Sequence, residues 1–155
     1  VGSSPTPVSN LKTINIMSTF ECRLKFRKEV GNGVLKTVTE TYIVNALSFT
    51  EAEANITKEM GAYLSEPFKV VNIRPTNYVE VIANDKGDKW FKAKVVLTVF
   101  DDESGKDKKQ NIYILIQADD VKEAYGLCEV TMSTSLGEYK ISAVSETLIV
   151  DVFKN

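Results

Sequence analysis

The chain has no histidine. That absence removes the commonest general base, the commonest zinc ligand and every Ser-His or Cys-His nucleophile pair. Its two cysteines, Cys22 and Cys128, make neither a Cys-x-x-Cys site nor a disulfide framework, and they read as small buried apolar residues of a reducing, cytoplasmic compartment. No apolar run approaches the ~20 residues of a spanning helix, and no charged-then-apolar signal opens the chain, so no membrane is expected as a partner. Neither charge sign dominates: a formal net charge of -2 and a pI of about 5.3 supply no global positive field, so a nucleic-acid surface would have to be local. Glycine-rich strand-to-helix phosphate loops are missing. The acidic run 101–107 lacks the alternating ligands and distal Glu of an EF-hand and reads as a solvated hairpin tip. No catalytic residue, no metal and no cofactor is expected, and the protein is expected not to be an enzyme.

What is present is a pattern that occurs twice. Residues 1–16 hold small residues and two prolines without a sustained period and read as a flexible leader, tag or linker, with Met17 as the natural start and a short strand over 11–16 as the alternative. Phe20, Cys22, Leu24 and Phe26 then alternate with Glu21, Arg23, Lys25 and Arg27, the period of a half-buried strand. Gly31-Asn32-Gly33 lets the chain reverse into a second strand over 36–46. Ser48 stands as an N-cap with Glu51 bonding back to the cap's N–H, and Leu47 is placed to staple onto Ala52. Ala52, Ile56, Met60 and Tyr63 or Leu64 recur at helical spacing, and Glu66-Pro67 ends the helix. A strand over 68–73 follows, broken at 74–77 and resumed at 78–82.

The second copy starts at Trp90. Phe91, Ala93, Val95 and Leu97 take the places of Phe20, Cys22, Leu24 and Phe26 at an offset of 91 − 20 = 71. Asp120 and Glu123 repeat Ser48 and Glu51, Ala124, Cys128 and Met132 repeat the inward helical stripe, and 144–153 repeats 73–82. Such a register across separate elements marks an internal duplication. The expected fold is α+β: two tandem strand-strand-helix-strand repeats, 19–83 and 90–154, in a single domain over 17–155, mainly antiparallel sheet with two helices packed on it. One helix over one small sheet buries too little area to fold alone, so the copies are expected to share a core around a pseudo-twofold axis.

Four blocks, Thr19–Phe26, Thr39–Ala54, Trp90–Lys94 and Ala143–Val152, resemble in their order a family of short bacterial and bacteriophage proteins known only as a domain of unknown function. The resemblance covers nearly all of 17–153 and implies an intracellular address. It brings no assigned activity and no catalytic residues.

Two functional readings follow. Val95–Phe100 and Ile112–Ile116 are apolar on both faces, as in strands covered on both sides by the other copy or by a second subunit. The leading reading is therefore a non-enzymatic interaction or accessory domain, self-associating as a homodimer or binding another protein. The alternative rests on the polar face of the first strand of each copy, Arg23, Lys25 and Arg27 in one and Lys92 and Lys94 in the other. Flanked by Trp90 and tyrosines Tyr42, Tyr78 and Tyr113, such a face would hold a phosphate backbone and stack bases. Against it stands a simpler expectation, that Glu21, Glu29, Glu40 and Glu80 on neighbouring strands balance these charges.

Overall fold

The computed structural model describes residues 12–14, 18–135 and 137–154. In chain order they form β1 (Lys12–Ile14), β2 (Thr19–Gly31), β3 (Val34–Asn45), α1 (Phe49–Tyr63), β4 (Phe68–Pro75), β5 (Tyr78–Ala83), β6 (Lys89–Asp101), β7 (Lys106–Ala118), α2 (Val121–Met132), β8 (Glu138–Glu146) and β9 (Ile149–Phe153). The segment read as a leader thus contributes the short strand of its alternative reading, because β1 pairs antiparallel with β5 from Lys12 opposite Ala83 to Ile14 opposite Val81. Met17 lies outside the described residues.

Turn chemistry closes both hairpins. Asn32 and Gly33 both have positive φ, 51° and 75°, which is what a two-residue turn between right-twisted strands requires. At the second hairpin, the acidic run is held by its own ends. Lys108 Nζ lies 2.9 Å from Asp101 Oδ2 and the Glu103 N–H donates to Asp101 Oδ1, and these contacts hold the Asp101 carboxyl below its usual range.

Both helices begin as expected at Ser48 and Asp120. Each cap side chain accepts from the N–H three residues on, at 3.1 Å from Glu51 and 2.8 Å from Glu123. The returning carboxylates reach one residue further back than a standard capping box, Glu51 to the Leu47 N–H and Glu123 to the Asp119 N–H. Leu47 itself is 78% exposed and staples nothing. The inward stripes are those of the sequence pattern, Ala52, Ile56 and Met60 on α1 and Ala124, Cys128 and Met132 on α2. Of the pair at the end of α1, Leu64 packs on the core, whereas Tyr63 is exposed.

The strands sort into two compact units. The first unit comprises described residues within 16–76 and 148–155, the second those within 1–15 and 77–147. The first holds a sheet of order β4-β2-β3-β9; in the second the order is β8-β6-β7-β5-β1. Position by position the orders match, with β1 added at one edge. Within each, the first three strands pair antiparallel and belong to one repeat, while the fourth pairs parallel and comes from the other: β9 on β3, β5 on β7. The break expected at 74–77 is therefore a crossing point, and Thr147 is its counterpart. Thr76 N–H donates to the Thr19 carbonyl at 3.0 Å and Thr147 N–H to the Trp90 carbonyl at 2.9 Å. The Thr147 hydroxyl donates to the same Trp90 carbonyl, and the Thr76 hydroxyl bonds that of Thr19. Each latch fastens the end of β4 or β8 to the start of β2 or β6, after which the chain leaves for the other unit.

Even the irregularities repeat. Val71 and Ser142 are the extra residues of bulges in the edge strands β4 and β8, and Val79 and Val150 those of bulges in β5 and β9. Both pairs are separated by 71 residues (142 − 71, 150 − 79). A bulge bends its strand and raises the local twist, so its recurrence at one offset means that both copies are built to the same curvature.

The sequence pattern leads one to expect a core shared by the two copies; the buried clusters are instead separate, and what the repeats exchange is a strand. Each unit has its own buried cluster, Phe20, Cys22, Leu24, Phe26, Tyr42, Val44, Ile56 and Met60 in one, Phe91, Ala93, Val95, Ile114, Ile116, Cys128 and Met132 in the other. Each cluster is completed by a residue of the opposite repeat, Phe153 in the first and Ile82 in the second. Of the two strands read as apolar on both faces, β7 is buried at Ile114, Leu115 and Ile116, whereas β6 exposes Val99 and Phe100 near its hairpin end.

Candidate anion-binding face

Alternation along β2 sends Phe20, Cys22, Leu24 and Phe26 toward α1 and Arg23, Lys25 and Arg27 to the opposite, exposed face. Antiparallel register decides what stands beside these cations. Across β3, Arg23, Lys25 and Arg27 are opposite Thr41, Thr39 and Thr37; across β4, Arg23 is opposite Asn72 and Lys25 opposite Lys69. Lys69, Thr37 and Thr39 are exposed as well. The face therefore carries four cations with Thr37, Thr39, Thr41 and Asn72 directly across from them, and none of the four is in an ion pair among the described residues.

None of the four carboxylates expected to balance the row forms an ion pair with it among the described residues. Glu21 shares its face but is committed to Arg74, with Nε 2.6 Å from Oε2. Glu29 accepts the Gly33 N–H at 3.0 Å. Glu40 stands opposite Leu24, hence on the helix side, where it takes the Tyr42 hydroxyl and Lys28. Glu80 belongs to the second unit. Alternation places each of these residues on a face of its own strand, but only pairing register shows which strands adjoin.

The corresponding row in the second unit is built differently. Trp90 is 3% exposed and cannot offer a ring to a ligand. Lys92 is half-buried, its Nζ 4.6 Å from the centroid of the Tyr113 ring and 6.0 Å from that of Tyr78, a cation–π arrangement that holds the ammonium in place. Lys94 is half-buried, opposite Tyr113 and Ala143. In the first unit no aromatic of β2, β3 or β4 shares the face of the row among the described residues, since Phe26 and Phe68 pair on the helix side and Tyr42 is buried there, its phenol pushed up in pKa by burial and by the bond to Glu40. The stacking platform expected beside the cations is thus absent from the exposed row, and the aromatics belong to the shielded one.

Lys69 was missed by sequence reasoning. Its signal was there, a lysine between Phe68 and Val70 in an extended stretch, but its value lies in standing opposite Lys25. Beside Lys25 and Lys69 is an open depression of about 320 Å³ lined by Lys25, Phe26, Arg27, Thr37, Pro67, Phe68 and Lys69. A second depression, of about 410 Å³, lies between Phe49, Thr50 and Glu53 of α1 and 70–73 of β4 and carries no cation.

Other reactive groups are muted. Burial pushes the Cys22 thiol up to about 12, with Glu21 adding to the effect, and the Cys128 thiol up to about 11, with Glu80 and Glu129 adding to it, so neither is a thiolate near neutrality. Among the described residues no three carboxylate or thiol groups gather where they could hold a metal ion, and no helix is long and apolar enough to cross a membrane.

Glu80 is the one buried carboxylate oxygen without a hydrogen bond among the described residues, and desolvation raises its pKa. Its counterpart Asp151 instead accepts the Val152 N–H. A raised carboxyl pKa means that the folded chain holds a proton the unfolded chain releases, so the associated stability is present below the ordinary value near 4.5 and is lost as pH rises through the folded pKa. Glu80→Gln should therefore melt progressively higher than the parent from pH 4.5 to 7. Parallel melting curves across that range would show that Glu80 is solvated.

Among comparisons with known proteins, the family model described as Domain of unknown function (DUF4494) matches residues 18–155. No curated protein and no solved structure matches the chain.

Proposed function

The chain belongs to the DUF4494 family, a domain of unknown function, and we propose from the geometry of its sheet that it is a non-enzymatic binding domain whose exposed basic face engages the phosphate backbone of single-stranded nucleic acid. One observation carries the reading: Arg23, Lys25, Arg27 and Lys69 share a face on which the expected acidic partners are committed elsewhere. Cations at every second residue of a strand recur about every 7 Å, commensurate with successive phosphates of an extended polynucleotide. Without an aromatic on that face of the sheet the contacts fall on phosphates, which position a strand but do not specify its sequence. The domain would act inside a bacterial or phage-infected cell, where two unbridged buried cysteines are in keeping with a reducing cytoplasm.

Fluorescence anisotropy with a short oligothymidylate tests the reading. For three or four phosphates neutralised on a single strand, raising salt from about 50 to 200 mM should weaken binding about 20- to 50-fold. Lys25→Glu should weaken it at least about tenfold and flatten the salt slope. Lys58→Glu, which changes net charge equally but sits exposed on α1, should have a much smaller effect. No binding at low salt, or equal losses from the two reversals, would remove the proposal.

A second reading is favoured by a separate observation. Val30, Val34 and Leu35 near the β2–β3 turn are all exposed, an apolar hairpin end suited to self-association. Light scattering that finds a monomer at every accessible concentration would end it.

A further inference from the structure

We infer that the depression beside Lys25 and Lys69 is a subsite for a terminal phosphomonoester, so that the basic face binds a strand by its end; the inference rests on the reading of that face as a nucleic-acid surface. Three of the seven lining residues, Lys25, Arg27 and Lys69, are cations, Thr37 adds a hydroxyl, and no acid is among them. Lys25 and Lys69 stand directly opposite each other on antiparallel strands, an arrangement that costs stability through like-charge repulsion. A bound anion would relieve that repulsion. The remaining lining, Phe26, Pro67 and Phe68, is apolar, so the polar contacts the depression offers an anion come from the three cations and Thr37.

The two ends of the row differ in what they permit. Beyond Arg23 the next residue on the face is Glu21, paired with Arg74 at 2.6 Å, so a phosphate chain meets no unpaired carboxylate at that end, where the exposed row stops at Arg23 because Ile43, across from Glu21, is fully buried. Beyond Arg27 it is Glu29, whose carboxylate accepts a backbone N–H and has no cationic partner among the described residues. A polyanion running past Arg27 would meet that charge, whereas one that stops in the depression would not. A terminal phosphomonoester carries about 1.5 to 2 negative charges at neutral pH against one for an internal diester, with a second pKa near 6. It is therefore the form of phosphate that three cations lining one depression favour most.

The test compares one oligothymidylate in three forms: hydroxyl at both ends, phosphate at the 5′ end, and phosphate at the 3′ end. One phosphorylated form should bind about fivefold more tightly than the hydroxyl form at pH 7.5, the scale of an added exposed charge contact, and which form does so identifies the end that is held. That preference should shrink at pH 5, as the phosphate takes up its second proton. Lys69→Ala should bring the ratio of affinities close to one, whereas Arg23→Ala should weaken all forms and preserve the ratio. Equal binding of the three forms would overturn the subsite and leave the face reading standing; no binding of any form would overturn both. A preference that survives Lys69→Ala would place the terminal phosphate elsewhere and overturn the inference.

Discussion

Phe153→Ala should destabilise the unit built on residues 19–75 and leave the repeat to which Phe153 belongs comparatively firm. Phe153 closes β9, stands opposite Val44 in the parallel ladder with β3, and is 8% exposed. Its ring stacks on Tyr42 at 5.5 Å and lies 6.0 Å from Tyr63. Truncating a buried phenylalanine costs about 3 to 5 kcal/mol, and the lower end fits a residue on an edge strand. A loss of about 3 kcal/mol should lower the melting temperature by about 10 °C. Native-state hydrogen exchange should show the loosening in β2, β3 and α1 before β6, β7 and α2. Ile82→Ala is the mirror experiment: Ile82 comes from the first repeat, is fully buried in the cluster of the second unit, and should loosen β6, β7 and α2 first. Simple tandem repeats would give the opposite pattern in both variants, and observing it would refute the exchange.

The exchange marks the boundary of what the sequence made legible. Alternation, capping side chains and the constant offset were enough to place both hairpins, both helices and the α+β class, since each is a local periodicity that one face of the chain must satisfy. The interruption of that alternation by Arg74-Pro75-Thr76-Asn77 also placed the break at 74–77. It could not reveal that the chain changes sheets there, because a period of two identifies the buried face of a strand without naming its neighbour. Thr76 and Thr147 show why the crossing is so compact: each latch ends one strand on its own sheet, and the next begins within two residues in the other.

The candidate face was legible in the same partial way. Arg23, Lys25 and Arg27 announced themselves by alternation with a buried row, but their effective charge depended on strands brought beside them by register. Glu40 looked like a counter-ion in sequence and faces the helix instead; Lys69 looked like an ordinary strand lysine and completes the basic cluster. Trp90 shows the converse error. An aromatic next to a lysine row suggested a stacking platform, yet alternation assigns only a face and not its exposure, and this ring is buried.

Gly87→Ala should cost about as much as losing a large core side chain, although the sequence around it reads only as a turn cluster. Gly87 is buried against β7, where an added Cβ would lie 2.5 Å from the Ala118 Cα and 2.6 Å from its nitrogen. Both are backbone atoms of a central strand, so the neighbour cannot yield by a change of rotamer. The turn must move instead, and its fastenings go with it. The Gln117 amide donates to the Gly87 carbonyl at 3.0 Å and accepts the Asn84 N–H at 3.0 Å, while the Gly87 N–H donates to the Asn84 carbonyl at 2.8 Å. Overpacking typically costs 1 to 3 kcal/mol and occasionally more; with the Gln117 bonds disturbed as well, about 3 kcal/mol and a melting temperature lower by about 10 °C are expected. Gly61→Ala is the control for a generic glycine effect. Its Cβ would meet nothing within 4 Å on α1, and helix propensity should make it stabilising by about 0.5 to 1 kcal/mol. If the two alanines shift stability in the same direction, close backbone approach is not what holds the 84–88 turn to β7.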